Sequence, residues 1–264
     1  MGNRIKEEFE NKKEPVRLNK YLSEAGICSR READKLIAAG KITVDGERAE
    51  MGMRVIPGKQ EIRMGKKVIS KKDEMVVLAV NKPAGIVCTE DRRERDSIVR
   101  FLNYPIRVTY IGRLDKDSTG LLLMTNNGDI INKMMRAGNY HEKEYKVTVD
   151  KEITKEFLEK MASGVEILDT VTRPCRVEKI GTYTFRIILT QGLNRQIRRM
   201  CEALGYQVKK LKRERIMNIE LGNLKEGMYR ELTDEELDTL YDMIRDSYSA
   251  PKGPGERNGG HHGE

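Results

Sequence analysis

Tryptophan is absent from this 264-residue chain, and aromatic residues make up only 5% of it. Stacking on a flat ligand must therefore fall to a few Tyr, Phe, His or Arg side chains. Cysteine is scarce as well. The four, at positions 28, 88, 175 and 201, are scattered with no C-x-x-C pair, so the chain suggests neither a disulfide framework nor a zinc site. Cys28 and Cys201 fall in apolar helical contexts and read as small buried hydrophobes. Of three histidines, His261 and His262 sit side by side in a Gly-rich tail, a poor metal site. No apolar run approaches the length of a membrane span, and the N-terminus has no signal-peptide core. The reading is a cytoplasmic protein with no membrane contact, no metal and no bound cofactor.

Charge is what the chain has in quantity. Lys and Arg outnumber Asp and Glu by 50 to 42, a formal net charge of +8, and the isoelectric point is near 9.2. With 35% charged residues and a mean hydropathy of -0.64, the surface is well hydrated over a modest core. A basic surface suits a phosphate-rich partner, although ordinary soluble proteins are often mildly basic too. The length accommodates one catalytic domain and a smaller module.

Residues 1–14 hold four basic and four acidic residues with few apolar ones and read as a disordered leader. Residues 249–264, rich in Gly and Pro, read as a disordered tail. Between them, residues 15–62 form a compact unit. Leu18, Leu22 and Ala25 share a helical face that Gly26 ends. Ser29-Arg30-Arg31-Glu32 is a capping box, after which Ala33, Leu36 and Ile37 face inward until Gly40. Ile42 and Val44 alternate into the hairpin signal Asp45-Gly46. Residues 63–74, with Lys66-Lys67 and Lys71-Lys72, read as a polar join. Over 15–74 there are 14 basic and nine acidic residues, so Arg17, Lys20, Arg30, Arg31 and Lys41 stand as candidate contacts to a phosphate-rich partner against the alternative of a solvated helix face.

From Met75 the pattern turns to strand, in a domain expected over 75–248. Met75 to Val80 is a continuous apolar run stopped by Asn81-Lys82-Pro83-Ala84-Gly85. A short helix is expected around 128–135, a strand at 145–149, a helix from Ile153 to Met161 stopped by Gly164, and strands at 171–177 and 183–190. Thr233-Asp234-Glu235-Glu236 is a second capping box, opening a helix with Leu237, Leu240, Tyr241 and Ile244 in one stripe. Hairpin-like spacings without a steady β-α-β alternation predict an α+β fold with a mainly antiparallel mixed sheet.

The most informative stretch is Ile111-Gly112-Arg113-Leu114-Asp115-Lys116-Asp117-Ser118-Thr119-Gly120. Flanking strand-like segments place Asp115 in a short loop between rigid elements, a setting suited to chemistry. An Asx-turn that only holds its own backbone is the competing reading. Asp117 could pair with Asp115 as in a glycosidase, but such pairs come from separate elements and a basic chain does not suit a free sugar, so Asp117 reads as a loop-holding residue. In the helix Leu193 to Leu204, the residues Ile197, Met200, Cys201 and Leu204 make a buried stripe. Arg195 and Arg199 then point away from the core, while Arg198 lies on the flank, able to lean into a neighbouring cleft or to form only a surface ion pair. Residues 190–215 carry eight basic and two acidic residues, enough for a phosphate-contacting strip.

Four segments occur in an order that resembles one enzyme family. Lys82-Pro83-Ala84-Gly85, Gly112-Arg113-Leu114-Asp115, Lys143-Glu144-Tyr145-Lys146-Val147 and Gly192 to Met200 are similar to the motifs of the RsuA-type pseudouridine synthases. The unit Arg17 to Leu22 through Ser29-Arg30-Arg31 resembles the alpha-L RNA-binding module that those enzymes carry. The stretch from Arg136 to Tyr145 is most similar to the F-type branch, which acts on large-subunit ribosomal RNA. The resemblance implies that Asp115 is the essential aspartate, Tyr145 the aromatic at the target base, Arg198 the ion-pair partner of Asp115, and Arg113 the residue filling the gap left by a flipped nucleotide. Arg195 and Arg199 are expected to contact RNA. It also implies isomerisation of uridine without a cofactor by a monomer, through attack of the aspartate on the sugar or on C6 or through removal of a sugar proton. A transfer RNA uridine as a second or alternative substrate stays open, as does a non-catalytic ribosome-assembly role.

Overall fold

A computed structural model describes residues 14–69, 75–91, 93–136, 138 and 140–247 of the chain. The expected leader (save Glu14), the tail with its paired histidines and residues 70–74 of the expected join lie outside the described residues.

The N-terminal unit opens with Val16–Arg17 (β1), Leu18–Glu24 (α1) and Arg30–Ala38 (α2). Ile42–Val44 (β2), Glu47–Arg48 (β3), Arg54–Val55 (β4), Ile62–Met64 (β5) and Lys67–Ile69 (β6) follow. Strand β1 pairs with β4, and the other four form an antiparallel sheet in the order β3-β2-β5-β6. Asp45 and Gly46 both have positive φ, 52° and 87°, as the two-residue hairpin loop between β2 and β3 requires. Leu18, Leu22, Ala33, Ile37, Ile42 and Val55 form the core. Ser29 Oγ accepts the Glu32 amide at 3.2 Å, one half of the expected capping box. The Glu32 carboxylate turns to Lys35 Nζ at 3.8 Å. The expected join at 63–74 needs correcting, because β5 continues to Met64 and β6 pairs with it as far as Ile69. Lys66 and Lys67 are exposed, but Ile69, 3% exposed, closes the core. A local lysine run conceals a strand whose burial is decided by its partner.

The second unit has 11 strands: Val77–Lys82 (β7), Thr109–Ile111 (β8), Thr119–Thr125 (β9), Lys143–Val149 (β10), Glu166–Ile167 (β11), Thr170–Val171 (β12), Arg176–Gly181 (β13), Thr184–Leu189 (β14), Val208–Ile216 (β15), Ile219–Glu220 (β16) and Tyr229–Glu231 (β17). Its helices are Ile98–Leu102 (α3), Gly128–Met135 (α4), Lys155–Ser163 (α5), Gln196–Ala203 (α6) and Asp234–Ile244 (α7). Nine strands form one sheet in the order β13-β14-β10-β15-β9-β7-β17, with β8 on β9 and β16 on β15. This is the α+β architecture with a mainly antiparallel sheet.

Two antiparallel halves meet at one parallel pair, β9 with β15, where Gly120 lies opposite Arg213. Gly120 has φ 102°, and a Cβ there would stand 2.3 Å from the Arg213 carbonyl oxygen. Only glycine permits this approach. Strand β9 is apolar throughout because both its faces are covered. Leu121 and Leu123 pack with Ile130, Leu240 and Ile244 from α4 and α7, while Leu122 and Met124 pack with Ile98 and Leu102 from α3. In the other half, Phe157, Met161, Met200 and Cys201 from α5 and α6 cover β10 and β14. Helix α7 carries the expected stripe and a complete capping box between Thr233 and Glu236. Among the described residues, no helix is long and apolar enough to cross a membrane.

Candidate active site

The loop between β8 and β9 is tied down before any catalytic role is considered. The Ser118 amide donates to the Asp115 carbonyl at 3.1 Å, and the Gly85 amide donates to the Lys116 carbonyl at 2.9 Å. Lys82, completely buried, donates from Nζ to the carbonyls of Pro83 at 2.7 Å, Ile86 at 2.8 Å and Lys116 at 3.4 Å. Burial pushes its ammonium below the ordinary lysine pKa. These bonds join the turn after β7 to the loop that carries Asp115.

Asp115 faces two guanidinium groups across a cleft of about 330 Å³. Its Oδ2 lies 3.9 Å from Arg198 Nε and 3.6 Å from Arg195 Nη1. Arg198, on α6, is the more enclosed, with 11% of its side chain exposed. It donates to Ser118 Oγ at 3.3 Å and to the Val208 carbonyl at 3.4 Å, and its buried Nε, without a hydrogen bond, is left toward the carboxylate. The flank position expected from helical spacing is the one observed.

Arg195 departs from expectation. Helix α6 starts at Gln196, and Arg195 precedes it in the left-handed conformation, φ 50°. Its side chain therefore leaves the helical wheel and enters the cleft, where Asp117 also lies 3.9 Å from it. The ion pair of Asp117 with Arg195 was not read from the sequence. Arg199 bends back to the Asn194 carbonyl at 3.1 Å and to Asn194 Oδ1 at 3.3 Å, and it does not line the cleft. Gln196, 4% exposed, accepts the Leu193 amide on Oε1 at 3.0 Å and fixes the turn into α6.

Tyr145 on β10 is half-buried, packs against the core beneath α5 and α6 and the one beneath α3, and forms a cleft wall. Arg113 is exposed at the rim. Lys143 and Arg213 also line the cleft and were missed as site residues. Lys143 precedes Tyr145 by two positions and so shares its face. Arg213 lay within a basic run read as a phosphate strip, yet it is 2% exposed.

A second, larger groove of about 850 Å³ runs between the two units. Arg17, Lys20, Arg30 and Arg31 line it together with Arg54 and Arg107. Lys20 is bound to Asp129 of the other unit at 2.8 Å, and Arg107 to Glu90 at 2.8 Å. Arg17, Arg30 and Arg31 form no ion pair among the described residues. Lys41 is exposed but lies outside this groove. Cys28, Cys88 and Cys201 are buried free thiols; Cys28 sits in the turn between α1 and α2, not in a helix. Among the described residues no group of His, Cys, Asp and Glu is arranged to hold a metal.

Comparison with known proteins gives concordant results. A family model described as RNA pseudouridylate synthase matches residues 76–203, and one described as S4 domain matches residues 16–60. The dual-specificity RNA pseudouridine synthase RluF of Escherichia coli (strain K12) is 54% identical over 239 residues, covering 90% of this chain and 82% of that protein. The ribosomal large subunit pseudouridine synthase B of Bacillus subtilis (strain 168) is 36% identical over 233 residues, covering 85% and 95% of the two chains. A crystal structure of a pseudouridylate synthase superposes with a TM-score of 0.63 at 30% identity, over 85% of this chain and 99% of that one.

Proposed function

The chain belongs to the RNA pseudouridylate synthases, with an S4 domain ahead of the catalytic domain, and from that premise we propose that it isomerises a uridine of large-subunit ribosomal RNA and, as a second substrate, a transfer RNA uridine. The name of the large subunit synthase supports the ribosomal substrate, and the dual specificity in the name of the RluF relative supports a second RNA. The observation that carries the site assignment is a cleft carboxylate, Asp115, facing Arg195 and Arg198 in a cleft that the Tyr145 ring also lines.

The reaction breaks the bond from uracil N1 to the ribose, turns the base and joins its C5 to the same carbon. It involves no redox change and no net hydrolysis. An ionised carboxylate at the sugar suffices to start it, by attack on the ring or by removing a sugar proton. The two guanidinium groups, 3.6 and 3.9 Å from Oδ2, fix the direction of the Asp115 carboxylate. Tyr145 offers a flat face for the base. A stacked nucleotide cannot reach this cleft and must be flipped out, at a cost of a few kcal/mol. Arg113 at the rim is placed to enter the gap it leaves.

Tritium release from RNA labelled at uridine C5 tests the reading, because forming the new bond ejects that hydrogen. Release is expected from both large-subunit ribosomal RNA and transfer RNA. Release from neither, with RNA still bound, would sink the proposal, and release from transfer RNA alone would overturn the ribosomal part.

Entry of RNA is assigned to the groove between the units. Reversing charge at Arg30 and Arg31 to Glu is expected to weaken RNA binding and to flatten the dependence of log K on log salt by about 1–2, one phosphate contact being worth about 0.7–0.9. An unchanged slope in a salt titration would leave both arginines as solvated surface.

A further inference from the structure

Two cations share the floor of the Asp115 cleft without an acidic partner. Arg213 donates from Nε to the Leu121 carbonyl at 2.7 Å and from Nη1 to the Arg113 carbonyl at 3.5 Å. Its Nη2 is buried with no hydrogen bond. Lys143, on the adjoining strand β10, donates to the His141 carbonyl at 3.2 Å. Neither forms an ion pair among the described residues. Asp115, the one carboxylate lining the cleft among the described residues, already faces Arg195 and Arg198, while Glu142 and Glu144 are held by Arg215 at 3.0 Å each.

An unpaired buried cation is expensive, and two together more so. Burial first, and the charge of Arg213 second, hold the Lys143 ammonium down to about 8. Such an arrangement is kept where an anion arrives during function. The place narrows what that anion is. The Arg213 guanidinium lies 6.0 Å from the centre of the Tyr145 ring, deep in the cleft, whereas backbone phosphates would meet the exposed Arg113 and Arg195 at the rim.

We propose that Lys143 and Arg213 form the site that receives the negative charge of the departing uracil. This rests on the reading of the chain as a pseudouridine synthase with Tyr145 at the base. When the bond from C1′ to N1 breaks, its electron pair stays on uracil and spreads from N1 to O2 and O4. Donors fixed in a water-poor cleft beside that ring stabilise it with no reorganisation. C1′ is left either bonded to Asp115, which C5 later displaces, or as a glycal whose C2′ proton Asp115 holds and returns. The base then turns, the C5 carbon bonds to C1′, the C5 proton is lost to solvent, and N1 takes up a proton. Atoms and charge balance over the step. Lys143 is thereby a catalytic residue, and Arg213 both binds the base and holds the β9 edge.

The test compares single-turnover consumption of a target uridine with that of 5-fluorouridine in the same RNA, using the full chain. Fluorine withdraws electrons, so its base leaves as a more stable anion and needs less help. Lys143→Met and Lys143→Gln are expected to slow the uridine reaction about 100-fold, in the range for losing one charge-stabilising donor, and the fluorinated reaction by only about tenfold. RNA affinity should stay within about twofold, and Lys143→Arg should recover most of the rate. Equal losses on both substrates would make Lys143 a packing residue and overturn the proposal. Weaker RNA binding with an unchanged bound-state rate would place a phosphate there and overturn it too. Tritium release by the unmodified protein stands apart from both, so failure here is distinguishable from failure of the enzyme assignment.

Discussion

Asp115→Asn is expected to eliminate tritium release while leaving RNA binding intact. The amide has the shape of the carboxylate and keeps its place in a loop fixed by the Ser118 and Gly85 amides. What it loses is the charge that attacks the ring or accepts the sugar proton. Loss of an acid–base group alone removes about 10²–10⁴ in rate, and loss of a nucleophile removes more. Stability should change little. The carboxylate is about one-third exposed and stands 3.6 and 3.9 Å from its partners, contacts worth about 1 kcal/mol or less together. Thermal melting, RNA affinity and tritium release measured on one preparation separate these effects. Retained turnover would remove Asp115 from the mechanism. Loss of turnover together with RNA binding would mean that the loop, not the charge, had been damaged.

That loop was legible because its neighbours are strongly patterned. Strand β9 is apolar from Gly120 to Met124, which sets Asp115 just before a rigid strand, and the stripe of α6 fixes the angle at which Arg198 leaves the helix; that the two face each other was implied by the family resemblance alone. Arg195 was misjudged for a local reason of another kind. Its left-handed φ of 50° takes it off the helical wheel, and nothing in the residue types Asn194-Arg195-Gln196 announces that. Charge counting failed differently along β15. Arg213 and Arg215 sit in one basic run, yet Arg213 is buried at the junction with β9 and Arg215 is held by Glu142 and Glu144. A census of cations cannot separate those that meet phosphate from those that serve the interior. Lys20 shows the same limit, since its partner Asp129 is 109 residues away. Helix starts fared better, because a cap is decided within four residues. Even so, Ser29 and Thr233 share a pattern that closes fully at only one of them.

Lys82→Met is expected to destabilise the protein by about 2–4 kcal/mol. The methionine fills similar volume, so a cavity contributes little. The effect comes from the carbonyls of Pro83 and Ile86, which lose their side-chain donor, while the Lys116 carbonyl keeps the Gly85 amide; each buried acceptor left unsatisfied costs about 1–3 kcal/mol. Release from burying an ammonium offsets part of this, which keeps the expected figure below the sum. The turn after β7 loses its internal brace and one of its two bonds to the Lys116 carbonyl, and the folded fraction should turn over about tenfold more slowly as the carboxylate drifts from its geometry. The pH dependence carries an independent sign. Burial holds the Lys82 pKa below its ordinary 10.5 when folded, so between the folded value and 10.5 the unfolded chain binds more protons. The stability contributed by Lys82 must therefore rise with pH through that window. The difference between the unmodified protein and Lys82→Met, read from denaturant unfolding at successive pH values, should widen toward alkaline pH. A difference that is flat, or that narrows, would mean that Lys82 is not buried as a charged donor and that the two loops are held by other bonds.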